Sequence, residues 1–356
     1  MQSTLIPRTS DMTDNRVVAV IGGQYGSEGK GLVVSKIWHY YENHVRVGAA
    51  NAGHTGWIDG NKLVSQQLPM AAWAKSKSPR CYIGPGAVIS LDILMREIEE
   101  TGIDSDHLFI DYRAHVITAD QINREGETDL AARIGSTSTI AREGIGTATA
   151  DRVMRSDNCI TTDDVPELAP YAADVPNMLG DEHSILLEGT QGTGLSLTTG
   201  QFPYTTSRNT TVTGLMADAG IPAIRLDRSI GVFRTYPIRV AGNSGPFFDG
   251  STEITFDDLG VQEERTTVTK LTRRIATWSD EQLAYANMLN GLTDAYVTFF
   301  DYVVPTVYGQ STTDGMTADE IDKMDMYIGK FAKLGINLRG LGTGPQSMIE
   351  LDGYLY

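Results

Sequence analysis

Cysteine is almost missing from these 356 residues, with only Cys81 and Cys159 present. Two thiols can build neither a disulfide framework nor a four-cysteine zinc site, which suits a reducing cytoplasm, and both read as small core residues. Basic residues are outnumbered, 29 Lys and Arg against 45 Asp and Glu, for a formal net charge of -16. That balance argues against broad affinity for a nucleic-acid backbone, which needs clustered cations. Anionic substrates must instead be held by local devices: helix N-termini, glycine-loop amides and a few converging arginines. No stretch approaches the roughly 20 uninterrupted apolar residues of a membrane helix. The first 15 residues are polar, lack the apolar core of a secretory signal, and read as a loose tail.

What is present alternates. The run Arg16 to Gly22, RVVAVIG, reads as a strand, followed by a glycine-rich turn and a helix over Leu32 to Tyr41. Arg80 to Ile83 and Leu91 to Glu100 repeat the pair as strand and helix. Further strands are expected at Leu108 to Ile110, Ser184 to Leu187, Ala223 to Leu226, Ser229 to Tyr236 and Ala295 to Phe300. The fold class is therefore α/β, a large mostly parallel sheet flanked by helices, with residues 16–356 forming a single domain. Gly/Thr/Ser-rich segments at Gly135 to Ala150, Glu188 to Thr213, Val240 to Gly250 and Gly340 to Pro345 are expected to gather ligands at one sheet edge. Asp157 to Gly180, acidic and punctuated by proline, reads as an exposed excursion.

The sharpest feature is Gly22-Gly23-Gln24-Tyr25-Gly26-Ser27-Glu28-Gly29-Lys30-Gly31, directly after the first strand. Its glycines let backbone N–H groups close on phosphate oxygens, the following helix start adds a favourable dipole, and Lys30 can neutralise charge between β- and γ-phosphates. The Walker pattern does not fit, because Gln24 stands where its first glycine should be and Gly31 replaces its hydroxyl residue. A plain glycine-rich turn is the competing explanation.

This loop resembles the GxQWGDEGKGK motif of adenylosuccinate synthetases, and a second family motif, NAGHT, stands intact at Asn51 to Thr55. Others follow in family order: IGST at Ile134, GIGTATADRVMR ending at Arg155, LEGTQGT at Leu187, FPYTTSRNTT at Phe202, GPF at Gly245, TKLTRR at Thr269 and GTGP at Gly342. The resemblance covers almost the whole chain from Val17. It implies the P-loop-type fold of that family and a ligase that phosphorylates a purine O6 and then displaces the phosphate with the L-aspartate amine, aided by Mg2+.

Carried onto this sequence, the resemblance implies Ser27, Lys30 and His54 as catalytic positions, His54 being the acid at O6. Gly26, Glu28, Gly29, Lys30, Gly31, Gly53, His54, Thr55, Asp301, Gly344 and Pro345 would surround the triphosphate, with Ser27 and the Gly53 carbonyl toward Mg2+. Ser27, Asn51, Ser136, Thr137, Arg155, Gln191 and Thr206 would hold the monophosphate, Arg155 reaching across a homodimer interface. Thr269, Thr272, Arg273 and Arg274 would meet the aspartate, whose two carboxylates call for guanidinium and hydroxyl donors.

Two departures redirect the substrate. Ser27 stands where ordinary members carry an aspartate that takes the N1 proton of IMP, and a hydroxyl is a very weak base at neutral pH. The smaller side chain leaves room for a 2-amino group and matches the bacteriophage 2-aminoadenylosuccinate synthetases, which act on dGMP. In the late strand, Thr298-Phe299-Phe300-Asp301 replaces TKLD, and Gly342-Thr343-Gly344-Pro345-Gln346-Ser347 replaces GTGPDR. These changes point to ATP or dATP as donor. The alternatives are an enzyme using IMP and GTP, and a nucleotide-binding switch without ligase chemistry. In a phage-encoded chain the compartment would be the host cytoplasm.

Overall fold

A computed structural model of the chain describes residues 17–75, 77–128, 143–265 and 270–351. The expected tail at 1–15 lies outside them.

The first strand, Val17–Gly22, is buried at all six positions. Its alternate side chains divide between two cores: Val17, Ala19 and Ile21 pack into one, Val18 and Val20 into the other. A strand with apolar residues on both faces belongs inside a sheet covered by helices on both sides. The strand lies in a ten-stranded sheet. From one edge the order is Ala172–Ala173, Leu108–Asp111, Arg80–Ile83, Asn43–Arg46, Ile185–Glu188, Val17–Gly22, Leu226–Arg234, Asp294–Thr298, Asn337–Gly342 and Met348–Glu350. Every pairing is parallel except the last.

The chain builds outward from Val17–Gly22 in one direction, returns through Ile185–Glu188 beside it, and then builds in the other. Strand order therefore reverses near the centre, where open α/β sheets bind ligands beyond the carboxyl ends of their strands. The loops after Gly22, Arg46, Glu188, Arg234, Thr298 and Gly342 all leave that edge.

Several boundaries differ from expectation. The first helix runs Lys30–Ile37 and tightens into a 3-10 turn at Trp38–Tyr40. Ala223–Arg225 is a 3-10 turn, not a strand: Ile224 is exposed and the Arg225 guanidinium donates to the Leu179 and Glu182 carbonyls. The strand begins at Leu226 and runs unbroken to Arg234, so two expected strands are one. Asp294–Thr298 stops short of Phe300 because Phe299 enters the left-handed region at φ 58°. The segment expected as an excursion, Asp157 to Gly180, returns Ala172–Ala173 to the sheet edge. The glycine-rich run before Arg155 becomes a helix at Ile145–Met154, its N-terminal amides bound by buried Glu125, which accepts from Gly144 N at 2.6 Å and Gly146 N at 2.7 Å. Both cysteines are free thiols, Cys81 fully buried and Cys159 half-buried.

Candidate functional site

The loop after the first strand is tied around one carboxylate. Glu28 is fully buried, and its Oε1 accepts from Gln24 N at 3.1 Å and Gly26 N at 2.7 Å. Its Oε2 accepts from Lys30 Nζ at 2.8 Å. Lys30 Nζ donates again to the Gln191 carbonyl at 2.5 Å, so the lysine is turned inward and almost wholly buried. The turn needs glycine for space: a Cβ on Gly22 would lie 2.4 Å from Gln191 O and 2.5 Å from Glu28 Oε2, and one on Gly31 would lie 2.3 Å from Thr55 O. Gly26 and Gly29 have φ near 84° and 83°, where other residues are strained. Gln24 fastens the loop to the adjacent strand, its Nε2 donating to Arg234 O at 3.1 Å and its Oε1 accepting from Arg234 N at 3.0 Å.

Beside this loop stands a buried cluster of charge. His54 opens the hairpin strand His54–Ile58, and its Nδ1 is in hydrogen-bond contact with Glu188 Oε1. The same oxygen accepts from Arg46 Nη1 at 2.5 Å, and Glu188 Oε2 accepts from Met70 N at 2.9 Å. Arg46 Nη2 donates to the carbonyls of Ala52 at 2.7 Å and Gln66 at 2.9 Å, which pins the NAGHT turn to the sheet. Burial and the Arg46 charge hold His54 well below the ordinary imidazole range. Burial alone would raise Glu188, but Arg46 and His54 outweigh it and keep the carboxyl ionised. Neutral His54 then donates Nδ1–H to Glu188, and its Nε2, buried without a partner among the described residues, is left for a ligand.

Ser27 is exposed at the mouth of the phosphate loop with φ 58°. Two guanidiniums meet it: Arg273 Nη1 donates to Ser27 Oγ at 3.2 Å, and Arg234 Nη1 to Ser27 O at 3.3 Å. Arg234 is ion-paired to Glu264 and lies 3.7 Å over the Phe299 ring, while Tyr302 donates to Glu264 at 3.1 Å. Asp301 Oδ1 is buried without a hydrogen-bond partner among the described residues, and burial raises its carboxyl.

The chain matches the adenylosuccinate synthetase family model over residues 19–167 and 161–307. Similar proteins include the adenylosuccinate synthetase of Archaeoglobus fulgidus, 33% identical over 94% of this chain and 97% of that one. That of Pyrococcus horikoshii is 35% identical over 92% and 96%. The chain belongs to the adenylosuccinate synthetase family. It is thus of a carbon–nitrogen ligase type and not a bare nucleotide switch. Among solved structures it resembles the succinoaminodeoxyadenylate synthetase (PurZ) of cyanophage S-2L, bound to dGMP and dATP as an energy donor, at TM-score 0.80 and 30% identity, covering 95% of this chain and 96% of that one. A fully ligated Plasmodium falciparum adenylosuccinate synthetase shares the fold, with TM-score 0.79 at 20% identity over 95% and 100%.

Against this adenylosuccinate synthetase frame, the sequence-expected residues fall unevenly. Ser27, Glu28, Lys30, Gln191 and Thr206 come together, Gln191 Nε2 donating to Thr206 Oγ1 at 2.9 Å. Asn51 is half-buried in the turn before His54. Gly344 and Pro345 follow the strand Asn337–Gly342 at the same sheet edge. Arg155 caps its helix in the left-handed region and is exposed. Ser136, Thr137 and Thr269 lie outside the described residues. Of the two neighbouring arginines, Arg274 is engaged by Glu253 through two hydrogen bonds, at 2.7 and 2.6 Å, and donates to Gly245 O at 2.6 Å. Thr272 is held by Glu263 at 2.9 Å. The Arg273 guanidinium has one hydrogen-bond partner among the described residues, Ser27 Oγ, while its backbone N–H donates to Glu264 O at 2.8 Å.

Arg46, Glu188 and Arg234 were missed by sequence reasoning. Each is a buried charged residue at the carboxyl end of a strand, immediately before a loop at the ligand-gathering edge, and only Glu188, closing the apolar run ILLE, carried a local signal that could have found it.

A magnesium ion carried by a triphosphate needs only one or two protein oxygens, since phosphates and water complete its shell. The site fits that arrangement. Among the described residues no group of three His, Cys, Asp or Glu forms a metal cage, while Ser27 Oγ and the Gly53 carbonyl belong to exposed residues. Around Gly53 the space is open, a Cβ there meeting only Val64 Cγ1 at 3.8 Å and Gln66 Cγ at 3.9 Å.

Proposed function

We propose that this ligase joins L-aspartate to C6 of dGMP through a 6-phosphoryl intermediate, with ATP or dATP as donor, giving 2-amino-2'-deoxyadenylosuccinate monophosphate. The observation that carries the reading is Ser27: a small hydroxyl at the mouth of the phosphate loop, where a carboxylate would fill the space beside the purine's N1 and C2 edge. The resemblance to the cyanophage synthetase bound to dGMP and dATP supports it.

In this reading the amides of Gly29 and Gly31 line the triphosphate beside Gly26, and Lys30 leaves Glu28 to meet the transferring phosphoryl group. Glu28 acts through the loop, its Oε1 holding the Gln24 and Gly26 amides. His54, together with Gly53 and Thr55, faces the phosphoryl bridge. A phosphate dianion against Nε2 raises the imidazole's proton affinity, so His54 donates to charge developing on O6. Asn51, Ser136, Thr137, Gln191 and Thr206 take the monophosphate, with Arg155 supplied by a second copy in a homodimer. Thr269, Thr272, Arg273 and Arg274 form the aspartate edge, and Arg273 has the most free donors. Asp301, Gly344 and Pro345 bound the donor base, with the Arg234–Phe299 stack as a flat wall. Ser27 and the Gly53 carbonyl would hold magnesium carried by the phosphates, where it would neutralise phosphate charge.

The second reading is conversion of IMP with GTP, favoured by the curated relatives, which are adenylosuccinate synthetases. Incubation of the purified protein with aspartate, Mg2+ and pairwise combinations of dGMP, GMP or IMP with ATP, dATP or GTP decides between them. A succinyl product of dGMP, identified by mass, supports the first reading, and a product from IMP and GTP alone overturns it.

A further inference from the structure

The groups placed around the acceptor monophosphate are neutral within one chain. Asn51 and Gln191 offer amides and Thr206 a hydroxyl, while the guanidinium expected there, Arg155, comes from a second copy. A phosphate dianion calls for charge-assisted donors, and a guanidinium is the side chain best shaped for its oxygens. In a chain of net charge -16 such a donor has to be local.

Arg208 is placed to be one. It lies two residues beyond Thr206 in the same loop, and its side chain is mostly buried, 12% exposed. Nη2 donates to Asp218 Oδ2, near the end of the helix Val212–Ala219. Nη1 is buried with no hydrogen-bond partner among the described residues. Leaving the N–H groups of a buried cation unmade is costly, so an open guanidinium nitrogen inside a protein marks a place where an acceptor binds.

That nitrogen stands among the monophosphate residues. A Cβ built on Gly48 would lie 3.2 Å from Arg208 Nη1 and 2.6 Å from Thr190 Oγ1. The guanidinium therefore reaches the gap between two loops, one leaving the strand Asn43–Arg46 and the other leaving Ile185–Glu188, which are paired neighbours in the sheet. This is the carboxyl edge where open α/β sheets bind ligands. Each loop runs on directly to a residue of the set: Gly48 leads to Asn51, and Thr190 to Gln191. Gln191 Nε2 donates to Thr206 Oγ1 at 2.9 Å, which joins the loop of Arg208 to the same place. The Arg152 charge also acts on Asp218, so two guanidiniums share that carboxylate and it does not cancel them both.

We propose that Arg208 binds the 5'-phosphate of the acceptor nucleotide, Nη1 donating to a phosphate oxygen while Asp218 holds the guanidinium through Nη2. The inference rests on the acceptor site as read above. It adds a cation from the chain's own loop to the one a second copy would bring. Arg208 touches the substrate, and Asp218 is a positioning residue.

The test compares a nucleotide with its own nucleoside and needs no turnover. The full chain and the variants Arg208→Gln, Asp218→Asn and Arg208→Gln/Asp218→Asn are titrated with dGMP, with deoxyguanosine, and with a non-hydrolysable ATP analogue plus Mg2+. Arg208→Gln should weaken dGMP by about tenfold or more, the loss of one charge-assisted hydrogen bond. Deoxyguanosine and the ATP analogue should bind as they do to the wild type. The double variant leaves no buried carboxylate without its counter-ion, so it keeps the fold even where the single one loses it, and it should show the same selective loss. Asp218→Asn retains the donor and should lose much less dGMP affinity than Arg208→Gln. Unchanged dGMP binding in both Arg208 variants overturns the inference. An equal loss for dGMP and deoxyguanosine also overturns it, because the ion pair would then be structural alone. A wild type that binds IMP and not dGMP overturns the substrate reading only, and the comparison is then made between IMP and inosine.

Discussion

Glu188 Oε1 is shared by two buried groups, the Arg46 guanidinium at 2.5 Å and the neutral His54 ring at Nδ1. Arg46 keeps the carboxylate charged, and the carboxylate keeps His54 in the tautomer that aims a bare Nε2 at the site. Glu188→Gln removes the charge and leaves Arg46 buried without its counter-ion. Breaking one partner of a buried pair costs about 3–5 kcal/mol, so denaturant unfolding should show a loss of that order. Turnover should fall by about 10²-fold or more, as for loss of assisted proton transfer. Arg46→Met with Glu188→Gln should recover stability but not turnover.

His44 and His54 are both buried, and burial holds each down to about 4. The unfolded chain binds protons at these rings near pH 6.5, the folded chain only near pH 4, so stability is full above about 6.5 and declines as pH falls toward 4. Each ring contributes a slope of up to about 1.4 kcal/mol per pH unit inside that window. His44→Leu should lower the slope by roughly one ring's share, measured by chemical denaturation at pH 7, 6 and 5. An unchanged slope would show that His44 is not kept neutral.

The phosphate loop needs glycine where a remote helix does not. Gly22→Ala places a methyl 2.4 Å from Gln191 O, against the carbonyl that positions Lys30. Nucleotide protection against thermal unfolding should disappear in this variant. Gly180→Ala, in the helix Val175–Asp181 with nothing within 4 Å, should leave nucleotide protection intact and raise stability by roughly 0.5–1 kcal/mol.

The frame of the site was legible because its signals are local. Glycines at fixed spacing, the lysine and the run into a helix mark the phosphate loop, and apolar runs alternating with helices mark the parallel sheet. The charge cluster was not legible, because Arg46, His54 and Glu188 meet only through pairing of Asn43–Arg46 with Ile185–Glu188, about 140 residues apart in sequence. The same holds for Arg273 on Ser27, a contact across 246 residues. Arg274 looked as suitable as Arg273 for a carboxylate, and only the fold puts Glu253 against it.

Phe299 and Arg234 make a stacked wall where donor-base selection is placed. Phe299→Lys puts a cation against Arg234 and removes the flat face. The ratio of kcat/KM for ATP over GTP is expected to fall by about tenfold or more, a change of one lost stacking contact. A ratio that does not move would place donor selection elsewhere.

The account turns on Ser27 as the residue that selects the purine. The most direct measurement is the ratio of kcat/KM for dGMP over IMP, taken at saturating aspartate and donor, in the wild type and in Ser27→Asp. The wild-type ratio should be well above one and should fall by about 10²-fold or more in the variant, as a carboxylate restores the IMP base and crowds the 2-amino group. An equal ratio in the two proteins would contradict the account.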